Sequence, residues 1–149
     1  MTATGISWCD FTLPLWVGCT KCSPGCDHCY AVGQVHRLAH NPRVGAPFAG
    51  LVEDGQWTGR VHWRPELLRQ LMRRREPADW FVSSLGDWGH PAVPDEQRFE
   101  LLDALWGRPQ RVFTLTKRPA VIAESLHRYR AIGVLAPLWV GFTAENQAA

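Results

Sequence analysis

Arg111-Val112-Phe113-Thr114-Leu115-Thr116-Lys117-Arg118-Pro119 decides the fold class. An apolar run of strand length ends in hydroxyl and cationic residues, and a proline then opens the next segment. Pro119 suits the first turn of a helix, where its missing N–H has no partner to lose. That helix carries Ile122, Leu126 and Tyr129 on one face and stops at Gly133. Upstream the same unit recurs: Asp79-Trp80-Phe81-Val82-Ser83-Ser84 is a short apolar run suited to a buried strand. Pro94 and Asp95 start a helix after it, with Phe99, Leu102, Leu105 and Trp106 turned inward and Gly107 as the stop. Downstream, Leu138-Trp139-Val140-Gly141-Phe142-Thr143 is a further strand. Strands that alternate with helices predict parallel βα units.

The N-terminal half adds a first strand at Leu13 to Gly18 and a short helix at about 30–40, with Val35, Leu38 and Ala39 on one face. Residues 41 to 62, rich in Gly, Pro and polar side chains, read as a long loop of the lid or binding-loop kind. Pro65 then opens a helix from Glu66 to Arg75, with Leu67, Leu68, Leu71 and Met72 as its apolar stripe. Its arginines, Arg69, Arg73, Arg74 and Arg75, read first as a solvated face and second as phosphate contacts. About four parallel βα units result. A closed eight-unit barrel needs roughly 250 residues, so 149 residues predict an open sheet, half a barrel or a fragment.

Composition allows this. Hydrophobic residues make up 46% and charged residues 20%, which excludes a disordered chain. No apolar run reaches the roughly 18 residues of a membrane span, and the N-terminus lacks a signal peptide's basic start and apolar core. The expected compartment is the cytosol. A net charge of +2 says little about partners.

The cysteines say more. Of five in the chain, four lie in Gly18-Cys19-Thr20-Lys21-Cys22-Ser23-Pro24-Gly25-Cys26-Asp27-His28-Cys29-Tyr30. In a reducing cytosol such a cluster reads as metal or catalysis rather than disulfides. The spacing C-x2-C-x3-C-x2-C crowds a single zinc, whose paired knuckles are usually set farther apart. Iron–sulfur clusters accept tight runs, and Cys22, Cys26 and Cys29 alone would leave one iron of a [4Fe–4S] cluster without a thiolate. Zinc remains the second metal. The predicted strands all end in polar or ligand-type residues: Cys19; Ser83, Ser84 and Asp87; Thr116, Lys117 and Arg118; and Glu145 and Asn146. In parallel α/β folds functional groups collect at that end of the sheet. Two adjacent cations there, Lys117 and Arg118, suit a carboxylate or a phosphate.

These segments resemble the phage three-cysteine-motif, radical-SAM-like family. The matching stretches are Ile6-Ser7-Trp8, Gly18-Cys19, Ser23 to Ala31, Phe81 to Asp87, Leu115 to Pro119 and Trp139 to Gln147. They run along the whole chain in order, as a single domain over 1–149 like the N-terminal half of a family member. The resemblance implies a partial (β/α) barrel with a cysteine-rich loop after its first strand, a [4Fe–4S] cluster and S-adenosylmethionine (SAM). It implies reductive cleavage of SAM, with SAM contacts beyond the second strand at Ser83, Ser84 and Asp87. Related lyases act on DNA, so nucleic acid or a nucleotide is the expected substrate class, and a phage-encoded chain would work in the bacterial host cytosol. The family's cysteines match Cys19, Cys26 and Cys29; Cys22 is a departure that makes the third ligand either Cys19 or Cys22. The alternative is a non-catalytic metal-binding module, zinc or iron–sulfur, that engages a partner. The apolar last strand further predicts self-association or a second chain that supplies the remaining strands and completes the barrel.

Overall fold

A computed structural model of the chain describes residues 4–130 and 137–143. Its centre is a four-stranded parallel sheet. In chain order the strands are β1 (Phe11–Leu13), β2 (Trp16–Val17), β3 (Val52–Glu53), β4 (Gln56–Trp57), β5 (His62–Trp63), β6 (Asp79–Val82), β7 (Arg111–Thr116) and β8 (Leu138–Phe142). The helices are α1 (Tyr30–Ala39), α2 (Leu68–Arg73), α3 (Asp95–Leu105) and α4 (Pro119–Arg130). The main sheet runs β1-β6-β7-β8, so sequential parallel strands are spatial neighbours.

Period-2 alternation divides each strand between two environments. Trp80, Val82 and Val112 turn to one face, where Leu68 and Leu71 of α2, Leu101, Leu102 and Leu105 of α3, and Ile122 and Tyr129 of α4 complete the main core. The opposite face carries Phe81, Phe113 and Trp139, paired in register across β6, β7 and β8. Trp8 packs edge-on against Phe81 at 4.9 Å and Phe113 at 6.0 Å, and Phe113 stacks on Trp139 at 5.2 Å. On that face Leu115 and Trp139 are each 48% exposed. Inside the main core, Gln110 is fully buried yet satisfied. It accepts from Trp80 Nε1 and donates to the carbonyls of Arg74 and Glu76.

α1 packs elsewhere. Ala31 and Val35 join Val17, Phe48, Leu51 and Leu85 in a smaller second core, with Leu38 and Ala39 at its margin.

Several sequence expectations are corrected. The first strand is not continuous from Leu13 to Gly18. Pro14 lacks an N–H for the ladder, and Leu15 N–H turns back to the Leu13 carbonyl at 2.8 Å. The chain therefore leaves the parallel sheet after Leu13, and β2 pairs antiparallel with β5. Residues 41–62 hold more than loop: β3 and β4 form a hairpin whose turn, Asp54-Gly55, has both φ values positive at 48° and 70°. The helix read at Glu66 to Arg75 is a 3-10 turn at Pro65–Leu67 followed by α2, which ends at Arg73. Met72 lies outside the stripe, exposed. Trp106 is also exposed, because α3 ends one residue before it with the backbone extended. Gly133 lies outside the described residues.

Candidate functional site

The C-terminal ends of β6, β7 and β8 open on a cleft of about 180 Å³. It is lined by Cys19, Cys26 and Cys29 together with Ser83, Ser84, Asp87, Thr116, Lys117, Arg118 and Thr143, and by Tyr30 and Trp57. Residues 70 or more positions apart meet there because parallel strands deliver every outgoing turn to the same edge.

The turn after β6 is the tightest piece. Ser83 sits in the left-handed region at φ 61°, an uncommon conformation for a residue with a Cβ. It is held by Ser83 N–H to the Leu13 carbonyl and Gly86 N–H to the Ser83 carbonyl, both at 3.2 Å. Gly86 forms a parallel bridge to Gly18, and a Cβ on Gly86 would stand 2.6 Å from the Trp16 carbonyl oxygen. This contact seats the foot of the cysteine segment on the β6 turn. Ser83 is 3% exposed and its Oγ has no partner within the described residues. A buried hydroxyl left unbonded costs about 1–3 kcal/mol, so a polar group entering the cleft beside it would be favoured.

Asp87 knits the two strand ends together. Oδ1 accepts from Gly89 N–H at 2.8 Å and Thr116 Oγ1 at 2.7 Å. Oδ2 accepts from Lys117 N–H at 3.2 Å and Arg118 Nη1 at 2.8 Å. The carboxylate's acceptor directions are thus taken by this chain's own donors. Arg118 extends the link: Nη2 donates to the carbonyl and hydroxyl of Thr20, each at 2.9 Å, and Nη1 lies 3.6 Å from Cys19 Sγ. Burial works against the Arg118 charge, but Cys19 and Asp87 outweigh it and raise its pKa. Behind Thr20, His90 Nδ1 accepts from Ala92 N–H at 3.1 Å, which leaves Nε2 to donate to Thr20 Oγ1 at 3.0 Å. Burial, reinforced by Arg118, lowers the His90 pKa and keeps this tautomer neutral.

The thiols differ. Cys26 ends a 3-10 turn, Pro24–Cys26. Burial raises its pKa, but hydrogen bonds from the Cys22 and Ser23 backbones and side chains outweigh that and bring it to about 7. Cys19 is pushed up by burial, against the pull of Arg118. Cys22 is exposed, outside the cleft lining, and also raised by burial. Cys29 stands at the N-cap position of α1, and its thiol makes no capping bond. Cys9 is buried at the base of the sheet, away from the cleft. Among the described residues no set of three or more His, Cys, Asp and Glu side chains is close enough to share one metal ion.

The cleft therefore brings together Cys19, Cys26, Cys29, Ser83, Ser84, Asp87, Thr116, Lys117 and Arg118, and does not include Cys22. Glu145 and Asn146 lie outside the described residues. Sequence reasoning did not single out Trp57, Tyr30, Thr20 or His90. The Asp54-Gly55 dipeptide, a hairpin signal, could have pointed to Trp57. Tyr30 donates its hydroxyl to the Ser84 carbonyl at 2.6 Å, a contact across 54 residues that no spacing discloses.

The family whose profile matches the chain, over residues 3–149, is described as "Protein of unknown function (DUF5131)". No curated protein matches, and no solved structure does.

Proposed function

The chain belongs to this family of unknown function, and we propose that it is an iron–sulfur protein of radical-SAM type acting on a nucleic acid or nucleotide. In this reading Cys19, Cys26 and Cys29 are the thiolate ligands of a [4Fe–4S] cluster with one iron free of protein, and SAM binds in the adjoining cleft. When bound, the reduced cluster supplies the electron that cleaves SAM. The observation that carries the reading is the convergence of three cysteines with the ends of three parallel strands on one open cleft. Three thiols spread around a wall suit a cluster whose irons are separate better than one ion that needs them at a point.

The remaining roles belong to this chain's residues. Cys26, with a pKa of about 7, offers a thiolate near neutral pH. Ser83 Oγ, buried and unbonded, is the group with an open hydrogen bond to give SAM. Asp87 and Thr116 are positioning residues that hold Arg118 against Thr20 and Cys19. Tyr30 and Trp57 add aromatic surface to the cleft lining, and Tyr30 ties α1 to the Ser84 carbonyl. Lys117 adds a cation at the strand end for a carboxylate or phosphate.

We also read the sheet as part of a (β/α) barrel, with the cysteine-rich segment as the loop after its first strand. Support comes from the sequential strand order and from helices α2 to α4 packed on one face, since right-handed crossovers in a barrel all fall on the outside. The aromatic row is then an inner face, and a second chain or second copy is its cover.

Anaerobic reconstitution with iron and sulfide tests the assignment. A brown protein whose iron is lost in Cys19→Ala, Cys26→Ala and Cys29→Ala but kept in Cys22→Ala is the expected result. A colourless protein with one zinc per chain would favour the non-catalytic metal-binding module instead. Iron kept in Cys19→Ala and lost in Cys22→Ala would exchange the third ligand.

A further inference from the structure

The described arginines include two contrasting sets. Arg98, Arg111, Arg118 and Arg128 are each paired with a carboxylate of the chain itself. Between positions 37 and 75 stand eight arginines and no lysine, against Glu53, Asp54 and Glu66. Of those eight, Arg64 bonds Glu66 and Arg74 lies over the Phe11 ring. Arg37, Arg43, Arg60, Arg69, Arg73 and Arg75 are exposed, and among the described residues none of them pairs with a carboxylate. The overall net charge of +2 hides this imbalance, because the compensating acids lie mostly beyond position 75.

Part of this excess charge is gathered on one surface. Arg43 and Arg64 line a single groove against Leu38 and Phe48, and the Arg64 guanidinium sits 5.6 Å over the Phe48 ring. Arg60 Nη1 lies 3.1 Å from where a Cβ on Gly50 would be, which puts its guanidinium two residues along the chain from Phe48 of that groove. Arg37 precedes Leu38 on the exposed side of α1. This surface adjoins the cleft: a Cβ on Gly59 would meet Thr20 Cγ2 at 3.2 Å, and the Arg60 carbonyl packs on Gly18 at the foot of the cysteine segment.

We propose that Arg37, Arg43 and Arg60 form a track for the phosphodiester backbone of a polynucleotide, leading to the cysteine cleft. The inference rests on the proposed function only in taking that polymer as the substrate's carrier. Exposed guanidinium groups with no carboxylate of their own are cations awaiting an external anion. Their identity as arginine throughout favours phosphate, whose oxygens accept the planar fork in pairs. A track of this kind selects a polymer over a free nucleotide, since each phosphate met releases counterions and adds to affinity.

The test is fluorescence anisotropy with a labelled single-stranded DNA of about thirty nucleotides, on the cluster-free full chain, as a function of salt. An Arg37→Gln, Arg43→Gln, Arg60→Gln variant is expected to bind at least about tenfold more weakly at low salt, with a log–log salt slope shallower by about two units. An Arg69→Gln, Arg73→Gln, Arg75→Gln variant serves as the comparison and is expected to change less. Urea unfolding of both variants, expected unchanged for exposed side chains, separates lost binding from lost folding. Equal losses from the two triple variants would overturn the track in favour of diffuse attraction. Equal binding of polyglutamate or of anionic phospholipid vesicles would overturn it in favour of another anionic partner. SAM cleavage by reconstituted protein without DNA is measured separately. If it is absent while the track binds, the proposed chemistry fails and the track stands.

Discussion

Replacing Asp87 by Asn should unfasten the cleft while leaving its shape. The asparagine carbonyl can keep the bonds from Gly89 N–H and Thr116 Oγ1 that Oδ1 now accepts. The amide nitrogen then faces Lys117 N–H and Arg118 Nη1, donors opposed to a donor. Two hydrogen bonds to the ionised carboxylate are lost, one from a backbone N–H and one from a charged guanidinium, each worth about 1.5–3 kcal/mol. The Arg118 and Asp87 side chains are 11% and 8% exposed, so removing one partner approaches the about 3–5 kcal/mol of a broken buried pair. Arg118 keeps both contacts to Thr20, which holds the cost to about 3 kcal/mol. For a chain of this length that lowers Tm by about 6–12 °C. Urea unfolding followed by tryptophan fluorescence measures it, and a double-mutant cycle with Arg118→Gln isolates the pair. A loss under about 1 kcal/mol, with the two substitutions additive, would refute the role given to this ion pair.

Other outcomes follow from single positions. Gly33→Ala, inside α1 with nothing within 4 Å of the added Cβ, should stabilise the chain by about 0.5–1 kcal/mol in the same unfolding assay. Gly86→Ala should destabilise it by about 2 kcal/mol or more, because the new methyl meets the Trp16 and Gly18 carbonyls at 2.6 and 2.9 Å. In the cluster-free protein Cys26 should react with iodoacetamide with a midpoint near pH 7, since the hydrogen bonds from Cys22 and Ser23 hold its folded pKa below that of an ordinary thiol. The stability this contributes is present above pH 9 and is lost as pH falls through 7; a midpoint at about 8.5 would remove the hydrogen-bonded thiolate. Light scattering should find self-association through the face of Phe113, Leu115 and Trp139, which Trp139→Ser weakens; a clean 16.8 kDa monomer would contradict it.

The parallel units were legible because each combines a short apolar run with a proline at the next helix start, as at Arg111–Thr116 before Pro119 and at Pro94 before α3. Local signals sufficed there. They did not suffice at Pro14, where the chain exchanges a parallel partner for an antiparallel one: that exchange depends on β5, some forty-five residues away. The hairpin at Asp54-Gly55 carried its turn signal, but two-residue strands leave no alternation to read. Trp106 looked inward by helical spacing and lies outward because the helix stops at Leu105. In the site, the cysteine spacing kept Cys19 and Cys22 equally open, and the three-dimensional lining of the cleft includes only Cys19. The four bonds to Asp87 were not readable, since the partners from β7 are 29 to 31 positions away.

The most direct test of the central claim is electron paramagnetic resonance of the reconstituted, dithionite-reduced protein with and without SAM. A reduced cluster held by three thiolates has one iron open to the cofactor, so the account predicts about four iron and four sulfide per chain and a cluster signal whose g-values shift when SAM is added. Arg118→Gln, which loosens the cleft beside Cys19, should reduce that shift at a given SAM concentration without removing the iron. A protein that binds iron and sulfide in that ratio but gives an identical signal with and without saturating SAM would contradict the claim.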